Sequence, residues 1–219
     1  MLKRLLALIL CAMVWLCAAS AEVVGRTADG RYIQHHLTDN NDQDLYFVSD
    51  LEEIEVEKED YNGDGLTDLA AVTVCAAANI GYQLFVMTED GQLVPVTLTG
   101  GESALFNFDY LPQDGLIISR QQNGLGGLLR KVTLYKWADT DLVMVGQLIS
   151  DYASATETAD DSITAITDLA HIAITVTIFP DNEPKALYQR SDLATEDSES
   201  ILLALEDAES LLFSLYSGS

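Results

Sequence analysis

Nine consecutive residues carry the most specific chemistry in this sequence. Asp60-Tyr61-Asn62-Gly63-Asp64-Gly65-Leu66-Thr67-Asp68 sets oxygen-bearing side chains at alternate positions, Asp60, Asn62 and Asp64, and again at Asp68. Three carboxylates gathered on one short loop repel one another unless a cation stands between them. A donor set made only of oxygens suits calcium, which takes six or more of them in a flexible shell. Gly65 permits the sharp turn that wraps the loop around an ion. The Leu66 carbonyl then faces inward, and water completes the shell. The plain alternative is a solvated acidic turn around Asp64-Gly65, but the regular spacing favours Ca2+.

The loop is not a regular EF-hand. Its seventh position, Leu66, matches the backbone-oxygen ligand of that motif, yet the twelfth position is Ala71 rather than a bidentate glutamate. The residues after Asp68 also read as a strand instead of a helix. Upstream, Glu53, Glu55, Glu57 and Glu59 alternate with Ile54 and Val56, which puts the glutamates on the solvent face of one strand. The acidic run Asp39-Asn40-Asn41-Asp42-Gln43-Asp44 lacks the glycine turn and reads as a loop.

Asp60 to Leu69, followed by small apolar residues, resembles the calcium loop of FG-GAP or VCBS-type repeats, which are common in integrin-like propellers and secreted bacterial proteins. The resemblance implies Asp60, Asn62, Asp64, Leu66 and Asp68 as ligands. Such propellers repeat the motif over a longer chain, whereas here it occurs once. A looser resemblance spans roughly residues 50–190. Small exported bacterial proteins carry one such loop, then a Tyr/Phe strand (Tyr82 to Met87), an Asn-Gly…Gly hairpin (Asn123 to Gly127) and a Tyr-x-Trp strand (Tyr135-Lys136-Trp137). Some of those proteins are periplasmic immunity proteins with a propeller-like fold that block peptidoglycan-cleaving toxins. The resemblance therefore implies an inhibitor of a peptidoglycan hydrolase, and the acidic charge of the chain adds the expectation that this cell-wall hydrolase is basic.

The hairpin holds a second candidate site. Arg120, Arg130, Lys131 and Lys136 all fall around Asn123-Gly124-Leu125-Gly126-Gly127 in a chain otherwise poor in basic residues. Read plainly, they neutralise nearby carboxylates across strands. Read functionally, the hairpin presents a contact surface, with Asn123, Gly124, Gly126 and Gly127 at its tip.

Nothing in the sequence assembles a catalytic centre. The histidines are His35, His36 and His171, and the adjacent pair points to opposite faces of any strand, a poor arrangement for one metal. No G-x-S-x-G elbow, HExxH helix or phosphate-binding loop occurs. Carboxylate pairs abound, but in so acidic a chain they do not single out a glycosidase. The expectation is a protein without enzymatic activity.

The first 21 residues explain where such a protein works. Lys3 and Arg4 precede the apolar run Leu5 to Leu16, and Ala19-Ser20-Ala21 has the form of a signal-peptidase site. The run is short for a membrane span. Leu10 and Leu16, which precede Cys11 and Cys17, stand where a lipobox needs a small residue. The expected mature chain starts at Glu22 and is periplasmic or secreted. The leader carries two basic residues and no acidic one, so its loss takes the formal charge from −24 to −26. That charge disfavours nucleic acid and anionic lipid as partners and favours cations and basic proteins. Of three cysteines only Cys75 remains, so no disulfide forms within the mature chain. Its apolar neighbours, Leu69 to Val74, suggest a buried thiol.

Short β-rich runs separated by turn residues dominate the chain, with Asp-Gly pairs at residues 29, 90 and 114. Hairpins are expected from Tyr82–Met87 with Leu93–Leu98, where Pro95 marks an edge strand, and from Leu116–Gln121 with Leu128–Trp137. Strands follow at Leu142–Ile149, Ile172–Ile178 and Lys185–Arg190, with Ser150–Ser162 read as a loop. Near the end Ile201, Leu205, Ala208, Leu212 and Leu215 form one helical stripe, with Leu202 and Phe213 beside it and Ser198 or Ser200 as cap. The helix either packs on the domain or offers its apolar face to a partner. The fold expected is all-β, with antiparallel meanders forming a propeller-like or sandwich domain over 22–191 and a helical appendage over 192–219. The functional expectation is an exported calcium-binding inhibitor. A structural or adhesive calcium module is the alternative.

Overall fold

The computed structural model describes residues 21–37, 43–100, 102–159 and 162–216. The expected leader up to Ser20 and the acidic stretch 38–42 lie outside the described residues. Fourteen strands and one helix follow in chain order among those described: β1 (Glu22–Arg26), β2 (Tyr32–Leu37), β3 (Asp44–Ser49), β4 (Val56–Glu59), β5 (Asp68–Ala76), β6 (Asn79–Met87), β7 (Leu93–Pro95), β8 (Leu105–Phe106), β9 (Asp109–Leu111), β10 (Leu116–Gly124), β11 (Leu129–Ala138), β12 (Asp141–Ala159), β13 (Ser162–Ile178), β14 (Lys185–Ala194) and α1 (Ser198–Ser214). The protein is mostly antiparallel β-sheet with a C-terminal helix, and none of its three sheets closes into a barrel. The described residues fall into two compact units. One comprises those before Ala77 together with Ile80–Val96, the other Ala77–Asn79 together with the chain from Thr97 onward.

In the first unit, a sheet with the order β1-β2-β3 and a sheet with the order β4-β5-β6-β7 share one core. The period-two pattern of β3 places Leu45, Phe47 and Ser49 inside and Tyr46 outside, as a half-buried strand requires. Leu45 and Phe47 meet Leu69 and Ala71 of β5 and Phe85 and Met87 of β6, with the Phe47 and Phe85 rings tilted at a centroid distance of 5.8 Å. β5 is buried on both faces from Asp68 to Thr73, so it alternates nothing and reads as a continuous small-apolar run. Pro95 ends the outermost strand β7, where no ladder partner needs its missing N–H.

In the second unit, six strands run in the order β14-β13-β12-β11-β10-β9. Ile172, Ile174 and Val176 of β13 and Leu148 of β12 are fully buried beneath α1, which lays down Ile201, Ala204, Leu205, Ala208 and Leu212. The helix thus packs on its own domain. Leu202 and Leu215 stay exposed. Gly146 lets the helix come close, because a Cβ there would stand 2.7 Å from Leu212 Cδ1.

Three local expectations are corrected. Residues 150–159 belong to β12, which continues antiparallel to β13 as far as the pairing of Ala159 with Ser162. Their polarity marked them as loop, but the strand pairing is made by backbone N–H and C=O groups, which polar residues supply as well as apolar ones. Cys75 is exposed, because β5 passes out of its core cover after Thr73. The helix cap is Asp197 rather than Ser198 or Ser200, with its side chain accepting from the Ser200 amide at 3.1 Å.

Candidate functional site

β4 and β5 pair antiparallel, with Glu59 opposite Asp68, so residues 60–67 form the connecting loop of a hairpin. Inside it the side chains turn toward the backbone. Asp60 Oδ1 accepts from the Gly63 amide at 2.7 Å and the Asp64 amide at 3.2 Å, and its Oδ2 accepts from Gly65 at 2.9 Å. Asn62 Oδ1 accepts from Asp64 at 3.0 Å, and Asp64 Oδ1 from Leu66 at 2.7 Å. Asn62 Nδ2 donates to the other Asp64 oxygen at 2.8 Å. Gly63 and Gly65 take φ values of 78° and 86°, the left-handed region that favours glycine. These contacts wind the chain so that Asp60, Asn62 and Asp64 share one loop, with Asp68 following it as the first residue of β5 and the Leu66 side chain packed on the core.

Asp68 differs from the others. It is 1% exposed, and its two oxygens accept from the Tyr61 amide at 2.9 Å and the Met87 amide at 2.8 Å. Burial raises its pKa above the usual carboxylate range. The two amide hydrogen bonds oppose that rise, and the charges of Asp64 and Asp60 add to it. Its neighbours therefore stand close enough to repel it. Tyr61 is buried beside this carboxylate, and its phenol is pushed far up by desolvation and by nearby acidic groups.

The donor set consists of carboxylate, amide and carbonyl oxygens, which fits a hard cation such as calcium and not a thiolate- or imidazole-seeking metal. Asp60 Oδ1 already accepts two amides, whereas Asp60 Oδ2, Asp64 Oδ1 and the two Asp68 oxygens each accept one and keep a second lone-pair direction compatible with ion ligation. Among the described residues no three His, Cys, Asp or Glu side chains converge as a ready-made metal cluster. A calcium shell here would therefore lean on Asn62, on the Leu66 carbonyl and on water as well as on the carboxylates. Sequence reasoning missed the Tyr61 and Met87 amides, since no side-chain pattern announces a backbone donor.

The glycine hairpin is an exposed tip. Asn123, Gly124 and Gly126 are exposed and Gly127 is half-buried. Leu125, Gly126 and Gly127 form a short 3-10 turn in which all three have positive φ. Asn79 braces the strand leading into it, accepting from the Gln122 amide at 2.7 Å and donating to the Gln122 carbonyl at 2.8 Å. The basic residues do neutralise acidic ones: Arg120 pairs with Asp109 and Lys131 with Glu102. Glu209 of α1 stands 3.6 Å from Arg120 and 3.9 Å from Arg130. Lys136 lies instead over the Tyr216 ring.

The adjacent histidines diverge as alternation requires. His36 is buried, whereas His35 Nε2 faces Asp44 Oδ1 at 2.7 Å and its ring stacks on Tyr46. Comparison with protein-family models, curated proteins and solved structures returns no match.

Proposed function

We propose that the protein is an exported, calcium-binding binding protein without enzymatic activity. Its loop 60–68 uses Ca2+ to fasten the β4–β5 hairpin. The observation that carries this reading is the sequence of Asp60, Asn62 and Asp64 on one glycine-turned loop that leads into the buried Asp68, whose pKa is raised by burial and further by the charges of Asp64 and Asp60. A bound dication relieves that repulsion and stabilises the native state by mass action. The test is thermal unfolding of chelator-stripped protein with and without added calcium. A higher Tm with calcium, reversed by chelator, supports the reading, and superimposed curves overturn it.

The sharper form of the proposal is an inhibitor of a basic peptidoglycan hydrolase acting in the periplasm or outside the cell. It is favoured by the exposed left-handed turn at Gly126 and Gly127, which presents backbone at a hairpin tip braced by Asn79. Titration into a cell-wall clearing assay at physiological salt tests it. One-to-one inhibition is the expected outcome.

A further inference from the structure

Two Asn-Gly steps occur in the chain, Asn62-Gly63 and Asn123-Gly124, and the fold treats them oppositely. At the first, Asn62 Oδ1 accepts from the Asp64 amide at 3.0 Å, and Asn62 Nδ2 donates to an Asp64 oxygen at 2.8 Å. The Gly63 amide is held as well, donating to Asp60 Oδ1 at 2.7 Å. At the second, register pairs Gln122 with Arg130 and Gly124 with Leu129, so Asn123 is the extra residue of a β-bulge. Asn123 is exposed, and among the described residues no hydrogen bond holds its side chain. Gly124 has no Cβ to crowd its own nitrogen. The asparagines at 79, 107 and 182 differ, because they precede Ile80, Phe108 and Glu183, whose side chains screen the nitrogen.

We propose that Asn123 is a site of spontaneous deamidation and isomerisation, a chemical clock on the hairpin tip, and that the fold spares Asn62. The Gly124 nitrogen gives its proton to solvent and attacks Asn123 Cγ. A bond forms between Gly124 N and Asn123 Cγ, the Asn123 Cγ–Nδ2 bond breaks, and Nδ2 leaves as ammonia after taking a proton from solvent. The product is a five-membered succinimide. Water then opens the ring. Attack at Cγ gives aspartate, and attack at the main-chain carbonyl of residue 123 gives isoaspartate, with the chain running through Cγ. The sum is an amide plus water going to a carboxylate plus ammonia, with nothing oxidised or reduced. The reaction needs a side chain free to swing onto the next nitrogen, and the bulge leaves Asn123 so. At Asn62 the side chain must first break two hydrogen bonds to Asp64, and Gly63 must lose a proton that the Asp60 carboxylate binds. Hydrogen bonds to charged groups are the stronger kind. Either product puts a new negative charge into the glycine turn, and isoaspartate also lengthens the main chain there. The chemistry needs no partner and does not rest on the inhibitor reading.

The test ages the whole mature protein in mildly alkaline buffer with chelator, once native and once in urea. Each asparagine is followed by peptide mass and by isoaspartyl methyltransferase labelling. Cleavage at Arg120 and Arg130 releases residues 121–130 as one fragment. In the native protein that fragment should gain about one mass unit and the isoaspartyl label, while the fragment holding Asn62 stays unmodified over the same time. In urea the two asparagines should react at similar rates, because each then meets its glycine nitrogen without a fold to favour or hinder it. Asn123→Gln, whose longer side chain closes a ring far more slowly, should remove the label from its fragment and leave Tm nearly unchanged. Native Asn62 reacting as fast as native Asn123 overturns the proposal, as does a native Asn123 that stays intact while the chain in urea reacts. A label that persists on residues 121–130 of Asn123→Gln also overturns it. No hydrolase is present in the experiment, so its failure is distinct from a failure of the inhibitor reading.

Discussion

The carboxylate of Asp68 accepts a hydrogen bond from the amide of Met87 at 2.8 Å, joining the first residue of β5 to the last residue of β6. Its other oxygen holds the Tyr61 amide at 2.9 Å, at the opposite end of the acidic loop. One buried side chain therefore ties the loop to the sheet beneath it, and whatever changes the charge of Asp68 changes both.

Asp68→Asn should be markedly destabilising. The amide keeps one acceptor and turns an NH2 group toward a backbone N–H, leaving a buried donor unsatisfied at a cost of about 2 kcal/mol. The pH dependence has a definite sign. Burial raises the folded-state pKa of Asp68 above its ordinary value, so the native state binds more protons than the unfolded state in the window just above that value. Stability from this group is accordingly lost as pH rises through the window and regained on mild acidification. Urea midpoints measured in chelator should show the wild-type advantage over Asp68→Asn widening as pH falls from neutral into that window. A narrowing gap contradicts the assignment.

Asp64→Ala separates calcium binding from folding. Asp64 is exposed, and its acceptor bonds stay within the loop. The substitution should leave the calcium-free Tm nearly unchanged and abolish the rise that calcium produces. For the wild type that rise corresponds to about 2.7 kcal/mol at a hundredfold excess over Kd. Magnesium should do less, because it demands a small octahedral shell. A variant whose Tm still climbs with calcium shows that the ion binds elsewhere.

Gly146→Val should loosen α1. Even a Cβ at residue 146 would stand 2.7 Å from Leu212 Cδ1 and 3.4 Å from Tyr216. The resulting overpacking costs about 1–3 kcal/mol. Leu212→Ala opens the space that the valine needs, so the double variant should be more stable than the sum of the single losses predicts. Strict additivity in chemical denaturation would show that the two positions do not press on each other.

The outcome along the chain shows which physical signals a sequence carries. The buried alternation at Ile172, Ile174 and Val176 and the apolar stripe of α1 were legible because periodicity reports burial directly. The course of residues 150–159 was not, since a ribbon stabilised by backbone pairing can be as polar as a loop. Asp197 was passed over as cap because two serines beside it offered the same chemistry. In loop 60–67 the oxygen-bearing side chains were readable from spacing, whereas the burial of Asp68 and its bond to Met87 depend on a strand nineteen residues away. Arg120 and Arg130 were legible only as part of a cluster of basic residues, whereas their approach to Glu209 depends on α1, far along the chain.

The inhibitor reading makes the last prediction, and the charge of the protein makes it demanding. The chain's net −24, which removal of the expected leader would take to −26, draws any basic hydrolase toward the surface and accelerates encounter. Weak adhesion at low salt is therefore expected with or without a specific site. At physiological ionic strength the screening length is about 8 Å, and only a complex with close contacts persists. Inhibition of cell-wall clearing should therefore survive at that salt and reach completion at one-to-one stoichiometry. Gly126 and Gly127, with φ of 62° and 94°, hold the hairpin tip in a conformation that β-branched residues resist. Gly126→Val and Gly127→Val should lower the affinity for the hydrolase about tenfold or more if the tip is the contact. The calcium-induced rise in Tm should remain, because loop 60–68 belongs to the other unit. Inhibition that disappears between low and physiological salt, or that both glycine variants retain in full, removes the tip as the contact surface. In that case the calcium-binding role stands on its own test.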